Sequence, residues 1–509
     1  MHPVLDYVVV NMASVALALG LILVVYHTLL TNGGARGRPF PGLRCIPILG
    51  NALQIPRTKV WEKLHEWGQI HGGIYSMRLF WTPLLALNTL EAGRELLDKK
   101  SALYSNRPLP KIIEMAGFDK GVVLEHDPHR QRHARKLMYM ALQPRQLPLY
   151  REEMIHHIDV MLHNLLQAPD NFVQHIHHMT ASITMKISHG YSVTTHDDPY
   201  VRKAVEVADN FAVASLSSNH FVDGLPFLAK LPSFLPGMGF KMKARRWRQQ
   251  YFSLAEEGHQ RVKDDIAKGT AKPSLTYKAL VDAEPGDHPD DIIMFSATQL
   301  FIGADTVVSM LLSFILFMVS HPEVQKSAQE EILRVIGSDR LPTFEGRDAL
   351  PYVESILIEV LRLRPPISAV TREAGQHDVH KGFHVEKGTV LIVNFWGMLR
   401  EEKHYPDPDT FKPERWLGCD RRQKSHPYNV AFGFGRRACP GQYLAEELVF
   451  TSIAQILARF VISPAQDDNG DPVIPSDDST NGGITFPVPF RCSIQPRTPR
   501  ARDTRQNVV

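Results

Sequence analysis

The feature that most constrains this fold is a ten-residue loop, Phe432-Gly433-Phe434-Gly435-Arg436-Arg437-Ala438-Cys439-Pro440-Gly441. It presents a cysteine from a turn of glycine, proline and arginine. A thiolate is a strong metal ligand only when its charge is stabilised. Gly435 and Gly441 let backbone amides approach the sulfur, and Arg437 supplies a cation. Pro440 withholds one amide hydrogen and stiffens the turn. A small core cysteine is the plain alternative for an isolated Cys. The fixed spacing of Phe432, Gly435, Arg437, Cys439 and Gly441 argues against it. The rest of the chain then reads as scaffolding for that sulfur.

Composition permits this. The 509 residues are 44% hydrophobic and 22% charged, which suits a globular chain with a sizeable core. A net charge of +3, from 57 basic and 54 acidic side chains, gives no support for nucleic-acid binding. The 4 cysteines, Cys45, Cys419, Cys439 and Cys492, are far apart with no C-x-x-C pair, so neither a disulfide framework nor a zinc knuckle is indicated. A reducing, cytosol-facing compartment fits that pattern.

From Tyr7 to Leu30 there is no Asp, Glu, Lys or Arg. As a helix, about 24 residues extend roughly 36 Å, enough to cross a bilayer core. A cleaved signal peptide would want a basic start and a shorter apolar run, whereas this chain opens Met1-His2-Pro3 with Asp6. The reading is therefore a transmembrane anchor over 1–33. Arg36 and Arg38 follow it, which leaves the bulk of the chain cytoplasmic. Arg38-Pro39-Phe40-Pro41-Gly42, Pro47 and Gly50 make a proline-rich hinge over 34–52. The catalytic domain is expected over 53–498, and the basic tail 499–509 reads as disordered.

Within the domain, Ile74–Leu79 and Leu84–Leu87 predict a small sheet, followed by a helical pattern from Glu91 to Leu97. Arg130, Arg132, Arg135 and Lys136 lie in a basic helical stretch. His156, His157, His163, His175, His177 and His178 crowd one region without a ligand-like motif, and are read as solvated helix faces. Phe221 to Phe240 is apolar and broken by Pro226, Pro232 and Pro236, with a basic run of Lys241, Lys243, Arg245, Arg246 and Arg248 beside it. Such a loop either packs on the core or meets a membrane. Asp290 and Asp291 predict the cap of an unbroken helix of about 30 residues, on the order of 45 Å, that runs to Val319 before Ser320-His321-Pro322. Its middle, Phe301-Ile302-Gly303-Ala304-Asp305-Thr306, sets a carboxylate and a hydroxyl in a greasy helix. A buried carboxylate needs partners. The plain alternative pairs Asp305 with a neighbouring arginine and bonds Thr306 back to its own helix. Pro351 starts a further helix, Tyr352 to Leu363, with Glu359 and Arg362 three apart on one face; Pro413-Glu414-Arg415-Trp416 follows.

Taken together, these motifs resemble the cytochrome P450 family. The Cys439 loop fills its F-x-x-G-x-R-x-C-x-G pattern; Gly303, Asp305 and Thr306 match [AG]-G-x-[DE]-T; Glu359 and Arg362 match E-x-x-R; Pro413 to Trp416 match P-E-R-[FW]. Ile302 and Val307 depart from the usual small residue and alcohol. The resemblance covers the chain after the hinge, and Pro487 to Cys492 looks like fungal members that oxidise natural products. It implies a mainly α fold with a small β portion, preceded by the single anchor.

It further implies heme b with Cys439 as iron ligand, framed by Phe432, Gly435, Arg437 and Gly441. Arg135 and Arg372 would be the propionate cations, with Gln131 where the family has Trp. Asp305 and Thr306 would deliver protons during oxygen activation. Glu359, Arg362 and Arg415 would fix the cysteine loop, and the helix after Cys439, Gln442 to Phe460, would back onto the heme with its amino end toward the thiolate. Implied partners are O2, electrons from NADPH through NADPH-cytochrome P450 reductase, the endoplasmic reticulum membrane, and a hydrophobic small molecule. Ile112, Ile113, Phe118, Phe301, Ala369, Val370, Ile484 and Phe486 are its candidate lining, although core packing explains the same residues. Docking cations for the reductase are placed around Arg132, Arg436 and Arg421-Arg422. Monooxygenase chemistry in fungal secondary metabolism is the expectation. A P450-fold isomerase or dehydratase without reductase, or a non-catalytic heme protein, are the alternatives.

Overall fold

The computed structural model describes Gly20 and residues 38–193, 198–215, 221–281 and 288–497. Apart from Gly20, the expected anchor (1–33), the start of the hinge and the tail from 499 lie outside the described residues. The chain divides into two compact units, one comprising residues up to Pro108 with Thr371–Gly397, the other Leu109–Val370 with Met398 onward.

The first unit is built on a small sheet. Helix α1 (Val60–His71) buries Trp61 and Leu64. Strands β1 (Ile74–Leu79) and β2 (Thr82–Leu87) pair antiparallel, Ile74 opposite Leu87. The predicted helical stretch that follows is Leu90–Gly93 running into a π-helical turn, Arg94–Lys99. Strands β3 (Ala369–Glu373), β4 (Asp378–His380), β5 (Phe383–Val385) and β6 (Val390–Asn394) come from the second stretch of chain. The four-stranded order is β1-β2-β6-β3, with β2 and β6 parallel. Leu64, Tyr75, Met77, Leu84 and Ala86 form its core. The Tyr75 hydroxyl donates to Leu64 O at 2.9 Å, so the buried polar tip ties sheet to helix.

The second unit is helical. Helices α2 (Pro128–Leu142) and α5 (Pro199–Ala214) start alike: Asp127 and Asp198 accept from the first free amides, and a proline follows where an N–H would be unpaired. Between them lie α3 (Arg151–Gln167) and α4 (Phe172–His189); α4 stops at Gly190, whose φ of 68° favours glycine. Helix α6 is Gly239–Lys268.

The expected long helix is present but broken. Helix α7 runs Asp290–Gly303 and α8 runs Asp305–Ser320, joined at Ala304. Asp290–Ser320 is apolar enough to span a membrane, with a mean hydropathy of 2.1, yet that window is 83% buried. It is the core helix of this unit, apolar all round because it is covered all round. Asp290 and Asp291 do not cap it. Pro289 holds the cap position, and the aspartates sit in the first turn facing cations, Asp290 with Lys263 and Asp291 with Arg130 at 2.6 Å. Helices α9 (Pro322–Val335), α10 (Pro351–Leu363) and α11 (Gln442–Arg459) complete the frame. Strand β7 (Phe460–Gln466) pairs antiparallel with β9 (Cys492–Pro496) and with the short β8 (Pro472–Val473). The histidine region departs from expectation: His157 and His175 are buried, with His175 Nε2 2.9 Å from Ala168 O and His157 Nε2 3.3 Å from Glu153. They fall on the inward faces of amphipathic helices, while His156 and His163 are exposed.

Candidate active site

The cysteine loop closes on itself before anything else touches it. Cys439 N donates to Phe432 O at 2.8 Å and Ala438 N to Gly435 O at 3.1 Å. Gly433 and Gly435 hold φ of 80° and 58°, the left-handed region that a side chain enters only with strain. The loop ends at Gly441, the cap position of α11. The sulfur therefore sits at the positive end of an 18-residue helix, as the sequence implied. The Cys439 side chain is exposed, while the fold packed around the loop desolvates its sulfur. That desolvation pushes the thiol pKa up, the Gly441 amide and Arg135 pull it down, and Glu446 adds a small opposing push.

The cation acting on the sulfur is Arg135, not Arg437 as the loop sequence suggested. Arg135 Nη1 donates to Ala438 O at 2.9 Å, which ties α2 to the loop. Arg437 turns to another segment, donating to Val122 O at 3.3 Å and Glu125 O at 2.7 Å. Burial, with Arg135 nearby, lowers its pKa to about 10. Gln131 lies one turn before Arg135, and its Nε2 is a buried donor without a hydrogen-bond partner among the described residues. Arg372 belongs to the first unit, where it is buried on β3 with Nη1 donating to Thr371 O at 3.0 Å.

At the α7–α8 break the hydrogen-bond ladder shifts by one residue. Ala304 N donates to Phe301 O and Val307 N to Ala304 O, both at 2.9 Å. These three-residue steps leave Gly303 O to the Thr306 hydroxyl, which donates to it at 2.8 Å. Gly303 is exposed, with no atom within 4 Å of where a Cβ would stand. Asp305 has no arginine partner among the described residues; its neighbour is His177, Nδ1 to Oδ1 4.0 Å. Burial first, and then Asp209, raise the Asp305 pKa to about 7. The folded chain thus holds this proton where the unfolded chain, with a carboxyl near 3.8, has released it. Stability contributed here is greatest at low pH and falls as pH rises from about 4 to about 7. Asp305→Asn is expected to match the wild type near pH 4 and exceed it near pH 8 by at most about 4 kcal/mol, read by chemical unfolding at the two pH values.

The Glu359 cluster has a fully buried centre. Glu359 and Arg362 are each 0% exposed, paired at 2.8 and 2.9 Å. Arg415 Nε and Lys412 N donate to Glu359 Oε1, both at 3.0 Å. Trp416 Nε1 donates to Oε2 at 2.7 Å, a role the sequence reading missed although Trp416 closes the P-E-R-W motif. Arg362 spends its remaining donors on Leu399 O, Pro408 O and Thr410 O. The proposed docking cations Arg132, Arg421, Arg422 and Arg436 are all exposed, and Arg421 is also paired, donating to both Glu446 oxygens and lying over the Tyr428 ring. Of the candidate lining, Ile112, Ile113, Phe118 and Phe301 belong to the apolar core with Trp247 and Tyr251, whereas Ile484 and Phe486 are half-buried.

These observations suit a large group carrying negative charge. An exposed sulfur ends the loop, a glycine with nothing packed where a Cβ would stand sits on the core helix, and two desolvated arginines and an unpaired amide donor come from the loop and α2. Heme b fits that set through Cys439, Arg135, Arg437 and Gln131.

Comparison with known proteins agrees. The cytochrome P450 family model matches residues 40–487. Cytochrome P450 monooxygenase 208 of Postia placenta is 34% identical, covering 97% of each chain. Cytochrome P450 monooxygenase COX2 of Coprinopsis cinerea is 34% identical over 94% of this chain and 93% of its own. Cytochrome P450 monooxygenase claR of Ampulloclitocybe clavipes is 35% identical over 91% and 87%. With its cysteine loop, its broken core helix and its buried Glu359 cluster all in place, the chain belongs to the cytochrome P450 family of monooxygenases.

Proposed function

We propose that this chain inserts one oxygen atom from O2 into a hydrophobic small molecule, in fungal secondary metabolism. Electrons come from NADPH through a separate reductase. The observation that carries the reading is the coexistence of an exposed Cys439 at the amino end of α11 with an acid and an alcohol at the α7–α8 break. The heme, when bound, supplies the redox chemistry of oxygen activation, and a thiolate ligand favours cleavage of the oxygen–oxygen bond. The chain's own part is to hold and move protons and to keep water out. Asp305 keeps a proton near neutral pH because burial disfavours its charge. The Thr306 hydroxyl hydrogen, parked on Gly303 O, is the next link toward the open space. Arg135 and Gln131 on α2, with Arg437 from the loop, would hold the carboxylates of the heme.

The chain is placed in the endoplasmic reticulum membrane by its anchor, with the catalytic part cytoplasmic. Phe221 and Phe234 are 83% and 84% exposed, Phe227 and Met242 are exposed as well, and Lys243 and Arg245 stand beside them. That combination suits a lipid surface. Exposed Arg132, Arg436 and Arg422 suit an acidic reductase face. The test uses membranes washed in high salt, which retain an anchored chain and release a peripheral one. Oxygenated product that requires NADPH and added reductase is expected from the washed pellet. Product without NADPH would replace this reading with a rearranging enzyme. Activity confined to the wash would remove the anchor.

A further inference from the structure

We propose that His177 of α4 carries protons between solvent and the Asp305 carboxyl, acting only through Asp305. The inference rests on the monooxygenase reading above. Its basis is placement: α4 packs along both α7 and α8, and it brings His177 Nδ1 to 4.0 Å from Asp305 Oδ1. The His177 side chain is 32% exposed and that of Asp305 16%, so the imidazole is the more accessible of the two half-buried groups. A gap of 4.0 Å exceeds a direct hydrogen bond, and one bridging water or a small side-chain rotation spans it.

The groups facing Asp305 are few. His177 comes from α4 and Asp209 from α5, with Glu206 acting in turn on Asp209. Among the described residues no lysine or arginine lies within ion-pair distance of Asp305, and no titratable group of α10, α11 or β7 acts on it. A permanent cation in that position would hold Asp305 ionised. A histidine leaves it able to exchange. Burial raises the acid to about 7 and lowers the imidazole from 6.5, so the ordinary order of the two groups is reversed and a proton passes downhill from a protonated His177 to an ionised Asp305. The protons balance simply. Each proton that leaves Asp305 toward Thr306 is replaced from the Nδ1–H of protonated His177, which then recovers one from water; no electrons move in these steps. Sequence spacing could not show this, because His177 and Asp305 belong to different helices.

The test is made on the full-length holoenzyme by difference infrared titration. The Asp305 carboxyl band is identified by its loss in Asp305→Asn. The account expects that band to titrate together with an imidazole band, and to shift its midpoint in His177→Gln. In turnover with NADPH and reductase, His177→Gln is expected to lower product-coupled electron use about tenfold, with peroxide released instead and a changed pH profile. A carboxyl band that titrates with no imidazole partner in the wild type overturns the proposal, whether or not the variant folds. An unshifted midpoint in a folded His177→Gln does the same. If the wild type makes no NADPH-dependent product, the monooxygenase reading fails, and the infrared result still decides whether the pair shares a proton.

Discussion

Cys439→Ala is expected to reduce NADPH-dependent turnover to background while leaving the protein folded. The Cys439 side chain is exposed rather than packed in the core, so its removal opens no new cavity there. The loop is held by bonds that alanine keeps: Cys439 N to Phe432 O at 2.8 Å, and Arg135 Nη1 to Ala438 O at 2.9 Å. A stability change of about 1 kcal/mol follows, the cost of losing the Gly441 amide's hydrogen bond to the sulfur. Thermal unfolding of the heme-free protein measures the first quantity and product formation the second. A variant that unfolds alongside the wild type but makes no product is the expected pair of results. Retained turnover would mean that the reaction does not pass through this sulfur.

Glu359→Gln is expected to act in the opposite way, through the fold. Five donors converge on the two carboxylate oxygens, from Arg362, Arg415, Lys412 and Trp416. An amide keeps one acceptor and turns an NH2 toward donors at the other. Arg362, fully buried, loses its counter-charge at the same time. Breaking a buried pair from one side costs on the order of 3–5 kcal/mol, because the remaining charge stays desolvated. A protein of ordinary marginal stability loses a large share of what holds it. Arg362, through Leu399 O, and Glu359, through Trp416 Nε1, together fasten α10 to the segment from Leu399 to Trp416, which leads into the cysteine loop. Loss of heme retention should therefore accompany the fall in urea midpoint. Arg415→Lys, changed at the edge of the cluster, should lose less.

The sequence made the site legible wherever its chemistry is local. The ten-residue loop, the helix Pro351–Leu363 and the Ile74–Leu79 strand carry their turn residues, caps and alternation within a few positions of one another. Long-range partners were not visible in that way. Arg437 and Arg135 are both cations near a thiol in prospect, and only the folded chain shows that Val122 and Glu125 take the first while the loop takes the second. The break at Ala304 was hidden because Gly303 and Ala304 continue a helical pattern as well as they interrupt it. Asp290 and Asp291 read as caps because their charge suits any helix start, whereas the backbone puts Pro289 in that position. His157 and His175 were read from their polarity, but the inward helix face on which they fall buried them.

The central claim is that Cys439 is held as a thiolate on the heme iron. The carbon monoxide difference spectrum of the reduced wild-type protein in membranes tests it most directly. The account predicts the red-shifted Soret band characteristic of a thiolate ligand. A protein that binds heme and carbon monoxide without that band would contradict it.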